Sequence, residues 1–136
     1  MKKEWKGRII NLKVTATISV DENIENTKVL IGTISAKNSG IIQTCKTEGT
    51  ITANINADSS NIEVAGICAE NSGKIIDTAN SIAIISNQLK AGIVALNYVE
   101  NNTENSGEIT NCTNEGKIEE QTGSKYYIRC CEWKES

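Results

Sequence analysis

The sequence predicts an all-β fold, a three-sided parallel β-helix of four coils with about 33–34 residues in each. Three observations point to it. Four glycines, Gly7, Gly40, Gly73 and Gly107, recur at spacings of 33, 33 and 34 residues. Isoleucine follows each glycine at fixed offsets, giving a first column of Ile9, Ile42, Ile75 and Ile109 and a second of Ile18, Ile51, Ile84 and Ile118. A third column, Ile34, Ile67, Ile93 and Ile128, leads in its first three members into the same half-turn, ending at Asn38, Asn71 and Asn97. Self-similarity at such a period is the mark of a solenoid, in which each repeat is too thin to bury a core alone and stacking supplies it.

The elements follow from one coil. After Gly40, the stretch Ile41–Cys45 alternates with Ile42 inward, and Thr47-Glu48-Gly49 reads as a turn. Thr50–Ala53 is a second strand with Ile51 inward, Asn54 to Asn61 reads as a polar loop, and Val64–Ala69 is a third strand. Asn71-Ser72-Gly73 then turns into the next coil. Coils about 4.8 Å apart satisfy one another's backbone groups in parallel ladders. Asn38, Asn71 and Asn97 are expected to stack at one corner, in the left-handed conformation that asparagine tolerates. The coils run over about 7–39, 40–72, 73–106 and 107–133, within a single domain of 136 residues.

Departures from the repeat mark the candidate recognition surface. The second and third columns are 16 residues apart in coils one and two, but 9 in coil three (Ile84 to Ile93) and 10 in coil four. The first two coils thus carry longer polar loops, with acids at Asp21, Glu22, Glu25 and Asp58. Coil three instead inserts Tyr98–Asn105, which presents Tyr98, Val99, Glu100, Asn101, Asn102 and Glu104. Insertions in repeat proteins map to loops, where binding concentrates. Each end of a solenoid exposes an open ladder. Trp5 is a candidate cap over the first coil, and Tyr126, Tyr127 and Trp133 at the other end are a candidate cap or the contact of an end-to-end homodimer.

Composition narrows the function. Phe, Pro and His are absent, the aromatic residues are two Trp and three Tyr, and the net charge is -3. A core of stacked aliphatic columns suits this supply. Without a clustered basic face the chain does not resemble a nucleic-acid binder, and no apolar run is long enough to insert in a membrane. Cys45, Cys68, Cys112, Cys130 and Cys131 lack zinc-site spacing. Cys45 and Cys112 share a repeat position two coils apart, about 9–10 Å, too far for a disulfide. The five thiols are expected to be free, as in a reducing compartment.

The strings Ala65–Ile75 and Ser106–Ile118 resemble the GLUG repeat, with its Gly-Ile-x-Ala-x-Asn stretch followed by Gly-x-Ile-x-Asn-Cys and Gly-x-Ile. Coil one departs from it, with Asn11-Leu12 for Asn-Cys and Ala16 at the place of Gly49. The resemblance implies a right-handed helix and occurrence in bacterial surface or secreted proteins, as stalks or adhesive arrays.

Chemistry is not expected. With no histidine the usual general base and metal ligand is missing. Glu48 and Glu115 share a position, but at solvated turns two coils apart. The expectation is a non-catalytic, cofactor-free and metal-free protein-binding module, in one version an inhibitor encoded by a phage or other mobile element. The alternative is a fragment or small member of a surface adhesin-like array. Read as complete, the chain is expected in the cytoplasm; read as a fragment, at the cell surface or secreted.

Overall fold

A computed structural model describes residues 7–24, 27–57, 62–99, 107–120 and 128–134. The described chain is all-β. The first repeat contributes β1 (Arg8–Ile10), β2 (Lys13–Ile24), β3 (Val29–Gly32) and β4 (Ser35–Asn38). The second contributes β5 (Ile41–Gln43), β6 (Lys46–Ala57), β7 (Ile62–Ala65) and β8 (Cys68–Asn71). The third has β9 (Lys74–Ile76), β10 (Ala79–Ser86) and β11 (Leu89–Tyr98), and the fourth β12 (Glu108–Thr110), β13 (Thr113–Asn114), β14 (Ile118–Glu120) and β15 (Ile128–Lys134). They form three parallel sheets, compatible with a parallel β-helix. The first sheet runs β1-β5-β9-β12. The second runs β2-β6-β10, with β13 and β14 both on β10. The third joins β3-β7 and β4-β8 to β11, which β15 covers.

Register follows the sequence period. Ile9 pairs with Ile42, Ile42 with Ile75, and Ile75 with Ile109. Ile18, Ile51, Ile84 and Ile118 pair in the same way. Inward columns fill two clusters: one around Ile51, Ile55, Ile62, Val64, Ile82 and Ile84, the other around Ile42, Ile67, Ile75, Ile93 and Val94. Middle repeats bury these side chains completely, whereas Ile9, Ile18 and Ile109 at the two ends stay partly exposed.

Several expectations are corrected. The segment expected as a turn at Thr47-Glu48-Gly49 lies inside the single strand β6, which also absorbs the first part of the expected Asn54–Asn61 loop. Alternation persists there: Ala53 and Ile55 are buried while Asn54 and Asn56 face solvent. Asparagines on the outer face hid a period of two. The bend survives only as positive φ at Gly49 (126°), where a Cβ would lie 1.9 Å from the Ala16 carbonyl oxygen. Likewise β2 runs through Ile24, so Asp21 and Glu22 are exposed strand residues rather than loop residues. The expected strand Val64–Ala69 is bent at Gly66-Ile67 into β7 and β8.

Ile128 does not join the Ile34, Ile67, Ile93 column. It pairs with Lys90, which pairs with Val64, which pairs with Ile31. Lys90 therefore occupies an aliphatic core column, is fully buried, and donates from Nζ to the Gln88 carbonyl oxygen at 3.2 Å. A buried ammonium needs such acceptors to offset its lost hydration.

Asn38, Asn71 and Asn97 do stack: Asn38 Nδ2 donates to Asn71 Oδ1 at 2.8 Å, and Asn71 Nδ2 to Asn97 Oδ1 at 2.8 Å. They are not left-handed, however. Positive φ falls on a different column, Asn11 (59°), Thr44 (54°), Asp77 (50°) and Asn111 (53°), four residues after each period glycine. A second ladder runs through the interior: Thr47 Oγ1 to Asn80 Oδ1 at 2.5 Å, then Asn80 Nδ2 to Asn114 Oδ1 at 2.7 Å. Room for it comes from glycine, since a Cβ on Gly66 would lie 2.4 Å from Asn80 Nδ2 and one on Gly92 2.4 Å from Asn114 Cγ.

Candidate binding crease

The bend at Gly66-Ile67 folds the outer faces of β7 and β8 toward each other. Strand alternation sends Ile62 and Val64 into the core and turns Glu63 and Ala65 to the opposite face, where Glu63 is half-buried and Ala65 is fully buried. Ala65, Ala91 and Ala95 pack together, apart from both aliphatic cores, and floor the crease. Small side chains there let the two limbs approach. One wall is the column Leu30, Glu63 and Leu89; the other is Lys37, Glu70 and Leu96. The three leucines are half-buried on an outward face, an apolar lining that solvation alone would not select.

Across the crease, Glu63 and Glu70 hydrogen-bond through their carboxyl groups. Burial pushes Glu63 up to about 7, with the Glu70 hydrogen bond and charge adding to the effect. Glu70 is more deeply buried, at 3% exposure, yet lies below the usual carboxylate range. Desolvation raises it, but hydrogen bonds from Lys28 and Glu63 outweigh this. Lys28 Nζ lies 2.8 Å from Glu70 Oε2, and Lys37 Nζ 3.6 Å from Oε1. The two carboxyl groups are thus pushed in opposite directions, Glu63 up by burial and Glu70 down by Lys28. Lys28 is itself raised, first by Glu70 and in smaller part by Glu63 and Tyr98. Tyr98 ends β11 two residues beyond Leu96, on the same face, and so closes the crease.

Of the residues singled out in the sequence, Tyr98 is thus placed at a built surface. Val99 follows it, half-buried. Asp21 and Glu22 stand exposed on β2. The backbone of Trp133 pairs with Asn97 in β15, and its side chain lies outside the described residues. Glu25, Asp58, Glu100, Asn101, Asn102, Glu104, Tyr126 and Tyr127, and Trp5 with them, also lie outside the described residues. Sequence reasoning missed Lys28, Lys37, Glu63 and Glu70. Glu63 and Glu70 sit seven residues apart around the Gly66 bend, a spacing without meaning until that bend is known.

A second recess, about 470 Å³ in volume, lies where Ala79 and Ser81 leave room beside Lys46, Glu48 and Glu115. Glu48 is held by Thr15 Oγ1 at 2.9 Å and Lys13 Nζ at 3.2 Å, both on exposed side chains. Lys46, Glu48 and Glu115 in this recess are all exposed to solvent.

Cys45, Cys68 and Cys112 are free thiols. Thr78 stands between Cys45 and Cys112, donated to by the Cys45 N–H at 3.4 Å. Burial pushes the Cys68 thiol up to about 12 and raises Cys112 as well. A thiol so raised carries almost no thiolate at neutral pH and is a weak nucleophile. Among the described residues, no group of three or more acidic, cysteine or histidine side chains could hold a metal ion, and no helix is long and apolar enough to cross a membrane. Compared with protein-family models, with curated proteins and with solved structures, the chain finds no match in any of the three.

Proposed function

We propose that this chain is a non-catalytic, protein-binding β-solenoid of the GLUG-like kind, with four coils, three sides and a right-handed course, and that the crease between β7 and β8 is its recognition surface. One observation carries the reading. Leu30, Leu89, Leu96 and Tyr98 lie on an outward face whose ionisable groups, Lys28, Lys37, Glu63 and Glu70, are already ordered by one another. Apolar anchors within a polar, preorganised frame are the composition of a protein interface. The raised thiols and the solvated setting of Glu48 are in keeping with a binding role rather than chemistry.

The version we favour is a small intracellular module, of the type a mobile element encodes against a host system. The repeat resemblance alone supports the other version, a member of a surface adhesin-like array. A pull-down from host lysate, with wild type beside Tyr98→Ser and Leu96→Ser, separates them. A stoichiometric intracellular protein lost with both variants supports the module. Retention on cell-wall or glycan material, indifferent to both variants, overturns it in favour of the array.

A further inference from the structure

The two ends of this molecule are built to the same pattern. Among the described residues, β2 at the first end is a 12-residue strand that pairs only with β6, and β1 pairs only with β5. At the far end, again among the described residues, β12 pairs only with β9, and β13 and β14 only with β10. Within that set both rows present an outer edge of backbone donors and acceptors with no strand beside it. Among the described residues, Ile9, Ile18, Ile109 and Cys112 at the ends are partly exposed where their counterparts Ile42, Ile51, Ile75 and Cys45 are buried. Among the described residues, the exposed large apolar side chains are Ile10 (45%) and Leu12 (42%), both at the first end.

Because the ladders of the first two sheets are parallel and keep an offset of 33 or 34 residues throughout, the far end of one copy and the first end of another meet in register along those sheets when stacked head to tail. The columns of those two sheets would then run on from copy to copy. Ile109 meets Ile9, Ile118 meets Ile18, and Cys112 meets the exposed Leu12. The outward positions are complementary too. Arg8, Ile41, Lys74 and Glu108 form one column, so Glu108 meets Arg8 of the next copy. Within the molecule, Glu108 already takes the cation one step away, Lys74, at 3.8 Å. Thr15, Glu48, Ser81 and Glu115 share another column, so Glu115 meets Thr15, a repeat of the Thr15–Glu48 hydrogen bond.

We propose that a second copy of this chain docks head to tail, the β1–β2 edge of one copy on the β12–β14 edge of the next. The contact joins two different surfaces, so it does not close on itself and extends into open rods. It uses the ends of the molecule and leaves the crease on its side unblocked, so it stands apart from the proposed partner binding.

Sedimentation velocity over a range from about 10 µM to about 1 mM tests this, at low and high salt. Wild type is expected to gain mass steadily past the dimer, and to gain less at high salt. Arg8→Glu and Glu108→Arg each place like charges in the contact, and each alone should associate about three- to tenfold more weakly. An equimolar mixture should recover wild-type association, because in an alternating rod every junction then joins opposite charges: Glu at position 8 faces Arg at position 108 at one junction, and the native Arg8 and Glu108 face each other at the next. Circular dichroism of the variants checks that both remain folded. A wild type that stays monomeric, a mass that stops at two copies, or variants that associate alone as wild type does would overturn the proposal.

Discussion

Asn71→Ala is the sharpest probe of how this fold is held together. Asn71 is fully buried at the centre of its ladder. It accepts from Asn38 Nδ2 at 2.8 Å, and donates to Asn97 Oδ1 at 2.8 Å and to the Gly73 carbonyl oxygen at 3.1 Å. Alanine removes these three bonds and a long fourth contact, from Nδ2 to the Glu108 carbonyl oxygen at 3.5 Å. Each contributes about 1 kcal/mol net, and the oxygen of the buried Asn97 also loses its donor with no route to water, for a total of about 3–5 kcal/mol. Asn38→Ala is the internal comparison. Its side chain makes four ladder and turn contacts, including Gly40 N–H to Oδ1 at 3.2 Å, but it is only half-buried at the open end. Water replaces what it loses, and the cost falls to about 1–2 kcal/mol. Urea melts followed by circular dichroism, with coincident fluorescence to test two-state behaviour, measure both. The contact distances at the two positions are nearly the same. If Asn71→Ala costs no more than Asn38→Ala, burial does not set the strength of the ladder and the reasoning fails.

Three further outcomes are expected. Gly66→Ala should lose about 2–4 kcal/mol, because its Cβ would lie 2.3 Å from the Gly92 carbonyl oxygen and 2.4 Å from Asn80 Nδ2, whereas Gly7→Ala, with open space around it, should be neutral within error in the same melts. Thr44→Asn should gain about 1 kcal/mol, since a β-branched, exposed residue there holds φ at 54° in a column otherwise filled by Asn11, Asp77 and Asn111; a lower midpoint would show that Thr44 makes a contact that matters. The Glu63 pair gives stability a pH slope. Glu63 is raised from 4.5 to about 7, so its contribution is full below 4.5 and is lost as pH rises through about 7. Glu70 is lowered, so its contribution is present above 4.5 and is lost only in stronger acid. Wild type should therefore weaken by about 1–2 kcal/mol between pH 5 and 8, allowing for solvent screening of a half-buried group, and Glu63→Gln, which keeps a donor toward Glu70, should flatten that slope. An unchanged slope in the variant would place its origin elsewhere.

The period was legible because packing imposes it. A parallel ladder keeps register only if inward residues recur, so Gly40 and Ile42 announce Gly73 and Ile75. The asparagine ladder at Asn38, Asn71 and Asn97 could be read for the same reason. The second ladder had a readable signal, Asn80 and Asn114 each seven residues after a period glycine, but Val14 and Thr47 break that column and masked it. Polar residues at Asn54 and Asn56 looked like a loop, since outward positions on a strand carry the same composition as a turn. Ile128 matched the third column by residue type, and only pairing revealed that its neighbour is Lys90.

What the amino-acid order determined by itself is the repeating unit: which residues face inward, which recur, and where the strands return. These are local, periodic properties, and each follows from the two-residue alternation of a strand. Tertiary structure decided the rest. The bend at Gly66-Ile67 depends on close contact with Asn80 from the next repeat, and that bend alone brings Glu63 to Glu70 and Lys28 to Tyr98. Charge coupling falls off over a few ångströms, and nothing in the linear order reports which charges come that close.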